Sequence, residues 1–109
     1  MPSVAEEILA ISLIVARFDY ESMVSYRRDE IFASRRRIAM WLMYEAGMHP
    51  AQIAQLVNRD RSTVIHAVQV AQPRYKAGVG GLVEAKQKFE ELRRRRKEVP
   101  TEVVDGISN

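Results

Sequence analysis

Apolar residues recur along this chain at spacings of three and four, the period of a helix buried on one face. Almost nowhere do they alternate as in a half-buried strand. Ile8, Ile11, Val15 and Phe18 trace the first stripe behind Ser3 and Glu6, which are spaced as a capping box, and predict a helix over 4–18. Asp19 is placed to cap a short second helical turn carrying Tyr20, Met23 and Val24, before the polar run YRRDE interrupts the pattern. Ser34, a good N-cap, opens a third helix. Its apolar side carries Ile38, Leu42 and Met43, with Trp41 at the margin and Gly47 at the end.

A compact unit follows. His49 precedes Pro50, a favoured first helical residue, and Ile53, Ala54, Leu56 and Val57 give a two-turn helix its buried face. Asn58 tolerates the left-handed backbone of a helix exit. Asp60 is placed to cap the next helix by accepting from the amides of Ser62 or Thr63. That helix turns Val64, Ile65, Val68 and Ala71 toward a core and is expected to stop at Gln72, where Pro73 halts it. Two helices joined by so tight a turn predict a helix-turn-helix. Beyond a loop with Gly78, Gly80 and Gly81, the segment LVEAKQKFEELRRRRK reads as a last helix. Glu84 and Lys88, Glu90 and Arg94, and Glu91 and Arg95 stand four apart in the favourable order. The expected fold class is all-α, a single domain of five to six helices over residues 1–97, with a flexible tail at 98–109.

Composition narrows the chemistry. At 109 residues, 47% hydrophobic and 28% charged, the chain fits one globular domain with a modest core. The absence of cysteine excludes a disulfide framework and a thiolate metal site, and suits a reducing cytoplasm. The longest apolar run, residues 8–16, is broken by Ser12, too short for a hydrocarbon core of about 30 Å, and without the basic leader of a secretory signal. The formal net charge of +3 is unevenly placed. Between residues 27 and 61 seven arginines face four acids, and between 74 and 97 nine basic residues face three glutamates. That asymmetry points to a polyanionic partner.

The densest chemistry lies in NRDRSTVIHA, residues 58–67. An α-helix about 10–12 Å across fits a major groove about 12 Å wide when its first turn carries short or forked polar side chains. Arginine pairs bidentately with guanine, aspartate accepts from the cytosine amino group, and threonine bonds a base or packs on the thymine methyl. Arg59, Asp60, Arg61, Ser62 and Thr63 supply such a set, and the apolar residues behind them hold it at a fixed angle. The same residues also fit a plain helix start, with Asp60 only a cap, Arg59 and Arg61 solvated charges, and His66 structural.

The strings RRRIAMWLMYE, HPAQIAQLV and NRDRSTVIHA, in this order, resemble the C-terminal DNA-binding domain of DnaA, the bacterial chromosomal replication initiator, over approximately residues 5–97. RDRSTVIHA is similar to the family signature RDHTTVxHA. The resemblance implies a TrpR-like helical fold and double-stranded DNA as the partner. It implies that Arg36 enters the minor groove from the loop ahead of the third helix. Asp60, Arg61 and Ser62 then face bases in the major groove, and Thr63 and His66 approach phosphates, with Arg35 and Arg37 assisting. Arg59 joins the phosphate candidates on its charge and position. Arg61 stands where the family has histidine, Ser62 where it has its first threonine, and Asn58 alone where its turn has two glycines. The resemblance therefore does not carry the initiator's usual box sequence over to this chain.

No GxxxxGK[ST] loop occurs, since AGVGG lacks the lysine and the hydroxyl, and neither a paired nucleophile nor a metal cluster is visible. The expectation is a stand-alone binder, not an enzyme, with no cofactor, metal or small-molecule substrate. It would be cytoplasmic and nucleoid-associated, of phage or mobile-element type, and would regulate replication initiation or transcription by occupying initiator-box-like sites. The alternative is a protein interaction module or adaptor on the same fold, in which the first helix and Trp41 dock a partner instead of filling the core. No membrane partner is expected, because LRRRRK lacks an apolar face for insertion. The pattern leaves the oligomeric state open.

Overall fold

The computed structural model describes residues 3–25 and 29–108, with side chains to residue 96. Among them are six helices and no strand: α1 (Val4–Ala16), α2 (Tyr20–Val24), α3 (Glu30–Glu45), α4 (Pro50–Val57), α5 (Arg61–Lys76) and α6 (Gly80–Ser108). Tyr26, Arg27 and Arg28 of the polar run lie outside the described residues, as do the side chains of the tail expected at 98–109.

The helix starts follow local chemistry. Ser3 and Glu6 close a reciprocal capping box, and each hydrogen bond leaves one fewer first-turn amide unpaired. Asp19 accepts from Ser22 N at 2.7 Å. α1 stops at Ala16, two residues short of the expected end, because Arg17 turns left-handed at φ 57°. α3 begins at Glu30, so Ser34 sits a turn inside the helix and is not its N-cap. α5 runs through Pro73 to Lys76, correcting the stop expected at Gln72. A proline forfeits one amide donor and crowds the carbonyl four residues back; here that residue is Gln69, on the exposed side of the last turns. Gly80 and Gly81 belong to the first turn of α6 instead of a loop.

α3 is the hub, packed against α1, α2, α4, α5 and α6. Trp41, Leu42, Met43, Ile53, Val57, Val64 and Phe89 are fully enclosed. Ile8 and Ile11 are buried in the same cluster, so the face that an interaction module would have offered is core. Trp41 is at 0% exposure, not at the margin, because its indole N–H finds an acceptor inside, Gln72 Oε1 at 2.6 Å. Gln72 in turn donates to Glu45 Oε2 at 3.0 Å, and Lys86 donates to Glu45 Oε1 at 2.7 Å. Lys86 also stands 5.3 Å from the centroid of Tyr75, whose ring tilts against Trp41. This network ties α3, α5 and α6 into one body. Of the three ion pairs expected along α6, Arg95 with Glu91 closes at 3.0 Å, while Glu90 stands 3.8 Å from Lys86.

Burial alone would raise the Glu45 carboxyl, but the hydrogen bonds from Lys86 and Gln72 outweigh it and hold the group below the usual glutamate value. Burial would likewise lower Lys86, and the hydrogen bond to Glu45 together with the charges of Glu45, Tyr75 and Glu90 outweighs that and raises it. A depressed carboxyl contributes stability that is complete above its unfolded value and is lost as pH falls through the folded one. Urea denaturation should therefore show wild type more stable than Glu45→Gln at neutral pH, with the gap narrowing as pH drops below about 4.5. A gap independent of pH would remove the charge from this account.

Candidate nucleic-acid interface

The unit that presents the polar turn is held at both ends. His49 caps α4, its Nδ1 accepting from Ala51 N at 3.2 Å, and Pro50 supplies the first helical position. Asn58 closes α4 in the left-handed conformation at φ 57° and ψ 52°, as its side chain permits. Arg59 N then donates to Ala54 O at 2.9 Å, which fixes the direction of the chain into α5. On α5, Val64, Ala67 and Ala71 face inward at the 3.6-residue period. Arg61, Ser62 and Thr63 of the first turn, and His66 one turn on, are exposed. A shallow polar depression of about 430 Å³ runs beside the turn, lined by Ala54, Gln55, Asn58, Arg59, Asp60 and Thr63.

Asp60 is the N-cap residue in position only. Its backbone carbonyl accepts from Thr63 N and Val64 N, but its carboxylate makes no capping hydrogen bond. The expected bond to the Ser62 or Thr63 amide is thus absent, and the exposed carboxylate faces outward beside Arg61 and Ser62. The side chains of residues 60–63 make no hydrogen bond or ion pair with other described residues, which leaves their donors and acceptors available to a ligand.

Arg36 and Arg59 differ from the sequence expectation. Arg36 is not on a loop; it sits in the second turn of α3 at 7% exposure. Its Nε donates to Met23 O at 3.1 Å, and its Nη2 to Ser22 O at 3.0 Å and Ser25 O at 3.4 Å. Arg59, half-buried, donates Nη1 to Val24 O at 3.3 Å and to Asn58 O at 2.9 Å, and Nη2 to Ser25 O. Both guanidinium groups therefore converge on the carbonyl end of α2. The last carbonyls of a five-residue helix have few partners of their own, Ser22 O being met locally by the N–H and Oγ of Ser25, and this end carries a partial negative charge that draws cations inward. Burial, and then the nearby charge of Arg59, pulls the Arg36 guanidinium below its ordinary value. Arg36 thus sits within α3 and not on the loop ahead of it, and in this structure both guanidinium groups anchor the end of α2.

Arg35 and Arg37 flank Arg36 and point elsewhere. Arg35 Nη1 donates to Arg17 O at 3.0 Å, and Arg37 lines a cavity with Arg74. The structure thus brings Asp60, Arg61, Ser62, Thr63 and His66 to one exposed end of α5, with Arg59 and Arg36 behind them. Arg35 and Arg37 face a different junction.

A family model described as the bacterial DnaA protein helix-turn-helix matches residues 6–70, from α1 through most of α5. The chain belongs to that family. The match covers the short α2, the α4 and α5 pair and the exposed turn, and it supports DNA binding as the general activity of this domain. Comparison with curated proteins gives no match. Among the described residues, no helix is long and apolar enough to cross a membrane.

The anchoring role of Arg36 and Arg59 was missing from the sequence reading, although one signal was available. A helical turn as short as residues 20–24, with no glycine exit, requires donors from elsewhere for its carbonyls. Arg36→Ala should lower unfolding stability on the order of 3 kcal/mol by leaving buried carbonyls unpaired. Arg36→Lys should restore little, since an ammonium is too compact to reach three carbonyls at once. Arg61→Ala should leave the melting midpoint unchanged. An Arg36→Ala chain as stable as wild type but deficient in DNA binding would return Arg36 to direct contact.

Proposed function

We propose that this chain is a sequence-specific double-stranded DNA-binding protein, not an enzyme, that reads base edges in the major groove with the first turn of α5. By occupying initiator-box-like sites it would regulate replication initiation or transcription. The observation that carries this reading is the exposed, uncommitted set Asp60, Arg61, Ser62 and Thr63 on a helix whose opposite face is buried in the core. A reading turn needs both properties, free polar atoms and a fixed angle. Arg61 is the residue for a bidentate guanine contact and Asp60 the acceptor for a cytosine amino group. Thr63, at the end of this turn, and His66, one turn on, are the phosphate contacts.

The roles separate experimentally. Selection of bound duplexes from a random pool should yield one preferred site. Arg61→Ala should lose about 1–3 kcal/mol of discrimination at one base position, whereas His66→Ala should weaken all sequences alike and reduce the log-log salt slope by about 0.9. Identical behaviour of the two variants in specific-against-random competition would contradict this division of labour, and a pool with no preferred duplex would contradict base reading altogether.

A further inference from the structure

A second cationic surface forms where the end of α1, the first turns of α3, the end of α5 and the start of α6 meet. Two depressions adjoin there. One of about 180 Å³ includes Arg37 and Arg74 in its lining, and one of about 450 Å³ includes Arg17, Arg35 and Lys88; both share Ser34, Ile38 and Gly81. Of the acidic residues, only Glu84 lines either depression. None of the five cations has a carboxylate partner among the described residues, and Arg17, Arg74 and Lys88 are exposed. Holding such charges together costs self-repulsion that a polyanion relieves. The family match ends at residue 70, so Arg74 and Lys88 lie beyond it.

The position of the patch selects its ligand. Arg74 follows Arg61 by thirteen residues on α5, about 20 Å along the helix at 1.5 Å per residue, a length that equals about six base pairs at 3.4 Å each when the helix lies along the groove. A helix that reads bases with its first turn cannot place Arg74 on the same base pairs. Four of the five cations are arginines, whose forked donors match phosphate oxygens. We propose that this patch binds the phosphate backbone of the duplex flanking the base-read segment, on one side of it only. The inference rests on the base-reading assignment of the α5 turn. Duplex is favoured over an acidic protein because the base-reading turn already fixes a duplex within reach.

The test uses the preferred duplex from the selection, either bare or extended by about 12 base pairs, roughly one helical turn, on one side or the other. Binding is followed by fluorescence anisotropy across a salt series. Extension on one side should tighten binding about tenfold, and extension on the other should not. Arg74→Ala/Lys88→Ala should abolish that gain and reduce the salt slope on the extended duplex by about 1.8, leaving affinity for the bare site unchanged. Arg94→Ala/Arg95→Ala removes equal charge elsewhere on α6 and should keep the gain. Should the first double variant melt early, its two single variants replace it, each reducing the slope by about 0.9. Equal gains on both sides, no gain, equal losses in the two double variants, or capture of a second separate duplex by the patch would overturn the flank contact. A wild type that selects a site yet gains nothing from extension refutes this inference alone. A wild type with no preferred duplex refutes the base-reading turn as well.

Discussion

A helix of five residues cannot satisfy its own carbonyls, and in this chain two arginines from distant elements do it together. Arg36 reaches from α3 to Ser22, Met23 and Ser25, and Arg59 reaches from the lead into α5 to Val24 and Ser25. Two like charges at one place repel, and burial disfavours that of Arg36; each guanidinium is stabilised by hydrogen bonds to carbonyls at the negative end of a helix. Without that convergence α2 would lack a fixed end, and the chain entering α5 would lose its lateral support. The α2 carbonyls are thus the joint between the core-bound α3 and the turn that faces outward.

From that joint the rest follows in order. Asn58 in its left-handed conformation directs the chain into α5, and Arg59 locks the entrance. The alternation of buried Val64, Ala67 and Ala71 with exposed Ser62 and His66 sets which side of the helix meets solvent. At the other end of α5, Gln72 and Tyr75 are held by Trp41, Glu45 and Lys86, so the helix is fixed near both termini. A polar turn on a helix pinned at two points can discriminate between bases, because a misfit there cannot be relieved by tilting.

Much of this was legible in the residues. The capping box at Ser3 and Glu6, the Asp19 cap, Pro50 and the Asn58 exit are local signals, and each appears where the sequence placed it, whereas on α5 Ala67 is buried in place of the expected Ile65 and Val68. What was illegible depended on distant partners. Trp41 lies inside because Gln72, thirty-one positions away, accepts its proton. Arg36 turns inward because the end of α2 offers carbonyls, Met23 O among them, to a donor from α3. Asp60 has the residue type of a side-chain cap, yet its backbone carbonyl alone serves α5. Pro73 marks a break by propensity, and the last turn of α5 continues past it because the tertiary contacts of Tyr75 outweigh one lost backbone bond. The three consecutive arginines at 35–37 looked like one basic feature, but a helix sends successive side chains about 100° apart. One of them became an anchor and the other two reached a separate surface.

The central claim is that a pinned α5 offers its first turn, and little else of its length, to base edges. Amide NMR during titration with the selected duplex tests it most directly. The account predicts the largest shift changes at residues 60–66, smaller ones at the α2 joint, and nearly none at Ile53, Val57 or Phe89. Large changes spread through the core, or confined to α1 with residues 60–63 silent, would contradict it.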